Sequence, residues 1–254
     1  MRTRHPAKAS ASWAFPERDV LVVEAALPEA VGSNESGAET VRRYLSELAC
    51  ILRCMPLRDP AVHLSPKFGF SGWLPLRNRS AIHLYAWDEA GLPTDPFVSV
   101  DVSVPEPLSH SAVIVAHLAA FFGAEAGRVV FKTLRNKGGS NSESWHELAH
   151  HILRQRLHIS GDLLVPIADE QLRAWLFDLC SELEMVQISE PLLMKDTDMV
   201  SAGWMHWETS GAIVEWSDLE FAADIYTCKA FFPEKAIVLS KSALGLRNVR
   251  AVEF

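Results

Sequence analysis

The hydrophobic positions of this chain switch repeatedly between a helical and an extended period. Residues 38–54 place Val41, Leu45, Leu48, Ile51 and Leu52 on one stripe, the spacing of an amphipathic helix. Residues 169–183 repeat the device with Leu172, Trp175, Leu176, Leu179 and Leu183. Residues 109–122 and 234–244 predict two further helices, the first strongly apolar and ended by Gly123. Extended runs lie at 19–25, 69–76, 81–86, 97–104 and 128–133 in the first half. In the second half they lie at 151–157, 186–193, 199–208, 211–216, 221–228 and 249–254. Each half therefore reads β, α, several strands, α, β. Strands that follow one another without helical crossovers pair antiparallel, with the helices on one face. The expected class is α+β: two tandem β-α-β repeats whose sheets pack face to face in a four-layer α/β/β/α sandwich.

The second half also repeats the letters of the first. Gly72-Trp73 aligns with Gly203-Trp204, and the match runs without a gap to Ile82 and Ile213. Asp101-Val102 then matches Asp224-Ile225 if the first half carries extra residues near 87–97. A repeat of this length is a duplicated domain and not a solenoid unit. The polar run RNKGGSNSES at 135–144 reads as the linker between copies. The expected division is a loose tail at 1–17, a first repeat at 18–134, a linker at 135–147 and a second repeat at 148–254.

At 254 residues, with 48% hydrophobic and 22% charged positions, the composition is that of an ordinary globular protein. A formal net charge of −8 argues against a nucleic-acid partner, which asks for a basic face. The four cysteines, Cys50, Cys54, Cys180 and Cys228, are too few and scattered for a disulfide framework, which points to a reducing cytoplasm. Cys50 and Cys54 share a helical face as packing residues, with no second Cys/His pair at matching spacing. The N-terminal stretch lacks the apolar run of a signal peptide, and no stretch reaches the ~18 apolar residues of a membrane span.

The repeated segments resemble the pyruvoyl-dependent S-adenosylmethionine decarboxylases. The second half carries the likeness in HILRQRL at 151–157, ETSGAIVEW at 208–216 and FAADIYTC at 221–228. The first half carries it in VLVVEA at 20–25, SGW at 71–73, SAIHLYAW at 80–87 and VSVDV at 98–102. The resemblance spans nearly all of 19–254. It implies the same α/β/β/α sandwich, formed by two protomers or by one duplicated chain, and a role in polyamine (spermidine) synthesis. In that family a Ser hydroxyl attacks the carbonyl of the preceding Glu. The resulting ester eliminates, cutting the chain and leaving a pyruvoyl ketone that condenses with the substrate amine and serves as electron sink. A His assists processing and a Cys returns a proton to the product.

Carried over residue by residue, the first half has Asn78 at the Ser position, His83 at the His position and Pro105 at the Cys position. The second half has Glu208 followed by Thr209 at the Ser position, Val214 at the His position and Cys228. The resemblance thus implies one composite site, Glu208, Thr209, Cys228 and His83, with hydroxyl and thiol from one half and imidazole from the other. The site built on Asn78 and Pro105 is expected to be dead. Ser210 is a second hydroxyl, one residue out of register and hence on the opposite strand face. Glu24 falls where the family strand holds a substrate-side carboxylate, with Gln155 as its counterpart. A carboxylate there suits a sulfonium such as that of S-adenosylmethionine. Processing at Thr209 would leave a self-derived 2-ketobutyryl group in place of pyruvoyl, and no other cofactor is expected. The expected partners are a small ligand resembling S-adenosylmethionine, and a second copy or a paralogous decarboxylase. The alternative expectation is an inactive paralogue that binds ligand or regulates a partner decarboxylase.

One motif competes. Residues 146–150, HELAH, match H-E-x-x-H, which on a helix puts two imidazoles on one face for zinc, with His158 as a possible third ligand. The motif lies between linker and strand, so a solvated linker helix is expected there, with no bound metal and no hydrolase.

Overall fold

The computed structural model describes residues 19–253 apart from 33, 66–68, 78–79, 88–95, 105–110, 126–127, 138–139, 147–154, 196–200, 208–209 and 228–232. The first half runs β1 (Asp19–Ala26), α1 (Glu35–Ile51), β2 (Ala61–Ser65), β3 (Gly69–Leu76), β4 (Ser80–Trp87), β5 (Phe97–Val104), α2 (Ser111–Phe122), β6 (Val129–Lys137) and β7 (Ser140–His146). The second runs β8 (Gln155–Asp162), α3 (Asp169–Glu182), β9 (Leu192–Lys195), β10 (Ser201–Trp207), β11 (Ser210–Trp216), β12 (Glu220–Thr227), α4 (Pro233–Leu244) and β13 (Arg247–Glu253).

These strands form two antiparallel sheets. One is ordered β2-β3-β4-β5-β1-β6-β7 and the other β9-β10-β11-β12-β8-β13. Read side by side, the orders are the same, with β7 added to the first. The class is α+β, as the periodicity implied.

The helices start and stop for local reasons. Asn34 caps α1 by accepting the Gly37 N–H at 3.0 Å. The first turn of α3 lacks such a cap but carries Asp169 and Glu170, whose charge suits the positive end of the helix dipole. Past their last turns, α1 and α3 each have a residue in the left-handed region, Arg53 (φ 54°) and Glu184 (φ 55°). Each then closes with a backbone bond, Cys54 N–H to the Ala49 carbonyl at 3.1 Å and Met185 N–H to the Cys180 carbonyl at 2.9 Å. After α2 and α4 the same conformation falls on Gly123 and Gly245.

Each sheet packs one face against its own helices. Leu21, Val23, Ile82, Leu84 and Val100 join Val41, Leu45 and Leu48 of α1 in one apolar core. Met205, Trp207, Val214 and Ile225 join Leu172, Leu176 and Leu179 of α3 in the other. Alternation turns the intervening residues to the opposite faces. Those faces meet through rings: Trp73 stacks on Trp204 at 6.1 Å, His63 lies 4.9 Å from Trp204, and His83 lies 4.3 Å from Tyr226. All eight residues of β3 are buried, α1 covering one face and the second sheet the other. This explains the first Gly-Trp. A Cβ on Gly72 would meet Val41 Cγ1 at 2.8 Å and Leu45 Cδ1 at 2.9 Å. The glycine lets the helix sit down on the strand, while the next residue reaches into the space between the sheets.

Three expectations change. The run 135–144, read as a linker, is largely the paired strands β6 and β7. β7 pairs along its whole length with β6 and lies at the edge of the sheet. The expected linker helix at the H-E-x-x-H motif is not seen at its first residue, since His146 ends β7; residues 147–150 lie outside those described. The ungapped repeat match also fails at the hairpin. Leu76 pairs with Ser80 across a three-residue connection, but Trp207 pairs with Ser210 across two residues. From Trp73 and Trp204 onward the pairing therefore equates His83 with Ile213 and not with Val214, which faces the helices. Likewise Glu24 corresponds to Ser160 and not to Gln155. A string comparison is blind to loop length, whereas one residue in a hairpin reverses every side chain that follows.

Candidate site between the sheets

Strand pairing places Trp73, His83, Asp101 and Val22 directly opposite one another in a row across four strands. The corresponding row of the second sheet is Trp204, Ile213, Asp224 and His158. Each row thus holds a tryptophan, an aspartate and a histidine, but the histidine approaches the aspartate from opposite sides. His158 Nδ1 lies 2.7 Å from Asp224 Oδ1. His83 Nδ1 faces Asp101 Oδ2 at 3.7 Å.

His83 is the centre of a buried polar network that joins the sheets. Its Nε2 is 2.7 Å from the Tyr226 hydroxyl of β12 and 3.0 Å from the Ser71 hydroxyl of β3. The Trp204 indole N–H donates to the Tyr226 oxygen at 3.3 Å. The ring is 1% exposed, Tyr226 1% and Ser71 0%. In an interior where unpaired polar groups are costly, such a set is specific because its members satisfy one another. Gly211 makes it possible: a Cβ there would strike the Tyr226 ring, 2.6 Å from Cζ.

Of the site residues expected from sequence, only His83 and Glu24 are among the described residues. Glu208, Thr209 and Cys228 lie outside them, as do Asn78 and Pro105. The last described pair of β11 and β12 is Ser210 with Thr227, the immediate chain neighbours of Thr209 and Cys228. Glu24 is not on a sheet edge. It sits in β1 between β5 and β6, opposite Ser99, whose hydroxyl donates to it at 3.2 Å. His158, named with the zinc motif, is in β8 of the second sheet, while His146 ends β7 of the first. Among the described residues no group of three or more His, Cys, Asp or Glu could hold a metal. Ser71, Tyr226 and Trp204 were not singled out from sequence as site residues. The sequence signals for them were indirect: the repeated Gly-Trp for Ser71 and Trp204, and the segment FAADIYTC for Tyr226.

Burial also sets a pH response. Desolvation holds His63, packed on Trp204, below the ordinary histidine value. His117, beneath α1, is lowered for the same reason, with Glu47 opposing. The unfolded chain then binds more protons than the native one below about pH 6.5, so stability rises with pH there. It is full above the unfolded value and declines as pH falls through it toward the depressed native values. Melting temperature is expected to drop between about pH 7 and pH 5, and His63→Gln to flatten that drop whatever its effect at neutral pH. An unchanged slope in the variant would refute the assignment to His63.

Comparison with known proteins is sparse. No protein-family model matches the chain, and no curated protein matches it. Among solved structures, the adenosylmethionine decarboxylase from Aquifex aeolicus is similar at 20% identity and a TM-score of 0.31, over 39% of this chain and 88% of that one. An unknown protein from Galdieria sulphuraria is similar at 8% identity and a TM-score of 0.20, over 93% and 97%. A putative chlorite dismutase is similar at 9% identity and a TM-score of 0.28, over 93% and 90%. Likenesses this weak carry no functional argument. Among the described residues no helix is long and apolar enough to cross a membrane.

Proposed function

We propose that this chain is an S-adenosylmethionine decarboxylase-like lyase of polyamine synthesis with one composite site between its sheets. Thr209 and Cys228 supply the hydroxyl and thiol, His83 the imidazole, and Glu24 a carboxylate for a cationic substrate. The observation that carries the reading is the His83–Tyr226 hydrogen bond. It ties β4 to the strand that leads into Cys228, and the partner of that strand, β11, follows directly on Thr209.

The proton chemistry available fits such a site: a buried imidazole with hydroxyls on one nitrogen and a carboxylate beyond the other. A 2-ketobutyryl group formed at Thr209 would supply the electron sink for decarboxylation. His83, Tyr226 and Ser71 hold or move protons, and the flanking tryptophans exclude water. The Thr methyl stiffens χ1 and crowds the attack on Glu208, so processing is slow.

A second reading is favoured by a different observation. His83 Nε2 already meets two hydroxyls of the protein, and Trp204 and Tyr226 pack on its ring. An Nε2 so engaged suits an uncut paralogue that regulates a partner decarboxylase. Intact-mass spectrometry separates the two. The lyase reading expects fragments meeting at 208/209 or 209/210, increased in Thr209→Ser. A single full-length mass in both proteins would overturn it and leave the regulatory reading.

A further inference from the structure

The outer surface of α2 has no charge to face the water. Apart from His117, its 12 residues, SAVIVAHLAAFF, contain no ionisable side chain. Ile114 and Leu118 are buried in the core beneath the helix. Ala112, Val113, Ala116 and Ala120 are exposed, at the three- and four-residue spacing of one helical face. Val113 is 51% exposed. Val115 and Ala119 lie half-buried beside them. The helix at the same place in the second half, α4, exposes Glu234, Lys235 and Lys241. A solvated helix face carries charges of that kind, so the two halves differ at this position.

The halves also differ in the chain that leads into them. β8 continues from the first half, whereas β1 is preceded by residues 1–18, which lie outside those described. Asp19, the first residue of β1, pairs with Val104, the end of the strand that leads on to α2. Gly123, just past α2, lies by Pro28, just past β1: a Cβ on the glycine would meet Pro28 Cγ at 4.0 Å. α2 thus runs along β1 in the same direction, and the chain before Asp19 starts where α2 begins. Its nearest apolar residues are Trp13, Ala14, Phe15 and Pro16, with Glu17 and Arg18 left to make the turn. Four extended residues span about 13 Å, and α2 is about 18 Å long. Farther back the segment is basic, with Arg2, Arg4 and Lys8. At the far end of α2 the exposed side chains include Glu29 and Glu125.

We propose that residues 13–16 fold back along α2 and cover its exposed face, with Trp13 and Phe15 as the apolar contacts and Lys8 directed toward Glu29 and Glu125. Area decides between this occupant and a second copy of the chain. The bare face is about 18 Å by 10 Å, on the order of 200 Å². A stable dimer buries roughly 800 Å² per partner. A segment of the same chain loses no translational freedom when it docks, so a small contact suffices. The strap is independent of the site between the sheets.

The test is a photo-crosslink in the full chain, with p-benzoylphenylalanine placed at position 113 and the linked peptides read by mass spectrometry. The expected product joins α2 to residues 13–16 at the mass of a single chain. A link to a second copy at doubled mass, or the absence of any link to residues 1–18, overturns the proposal. Proteolysis gives an independent reading. Chymotrypsin cuts after Trp13 when the segment is undocked, so the rate follows the open population. Val113→Asp and, separately, Phe15→Ser are expected to raise that rate about tenfold. Phe15→Ser leaves α2 itself unaltered, so an unchanged rate in that variant overturns the proposal whatever Val113→Asp does.

Discussion

Trp204→Ala is expected to destabilise the protein by about 3–5 kcal/mol, the range for emptying a buried aromatic site. The residue is 0% exposed and sits where the sheets touch. Trp73 and His83 of the first sheet and His63 of β2 pack around it, with His206 of its own strand behind. Truncation leaves a cavity bounded by two sheets that cannot both relax into it. It also withdraws the donor to Tyr226, loosening the network that joins the sheets. In urea the midpoint should fall with the slope unchanged, since the surface exposed on unfolding stays the same. A loss within about 0.5 kcal/mol, as for an ordinary surface change, would show that this contact between the sheets does not form.

Gly211→Ala is the second large effect, and it comes from one added methyl group. The new Cβ would lie 2.6 Å from Tyr226 Cζ, closer still to its hydroxyl, and 2.8 Å from the Met205 carbonyl oxygen. The carbonyl belongs to a paired strand and cannot yield, so the phenol must leave His83. Overpacking of this kind costs about 1–3 kcal/mol, and the loss of the Tyr226 hydrogen bond from a His83 Nε2 that keeps Ser71 adds about 1 kcal/mol. Gly245→Ala is the control. Nothing lies within 4 Å of its added Cβ, and only the left-handed backbone (φ 64°) resists it, at about 1 kcal/mol. Thermal unfolding of the two variants side by side should rank them in that order. Equal losses would mean that Gly211 is needed for its backbone alone.

The four-layer plan was legible because it is written in periodicity. The stripes on α1 and α3 appear in the sequence as they do in the fold, and the recurring Gly-Trp marks equivalent strands. What could not be read was register. The hairpins after β3 and β10 differ by one residue, and only pairing shows that His83 shares its place with Ile213. The inner network was hidden for another reason. His83 and Tyr226 are 143 residues apart, and no local pattern marks a phenol that will meet an imidazole across two sheets. Glu24 was placed by resemblance alone. The strand order explains why it is enclosed between neighbours and bonded to Ser99 rather than waving at an edge.

The extra strand of the first sheet has a consequence for how copies of this protein meet in a crowded solution. A terminal strand offers unpaired amide and carbonyl groups that invite another chain to add on, the first step toward aggregation. Here that position is taken by β7, whose sequence SNSESWH is short and polar and contains a charge. The outer strand β13 of the second sheet carries Arg247, Arg250 and Glu253 for the same effect. The run with the least hydrophobic pattern in the chain thus guards the border of its larger sheet.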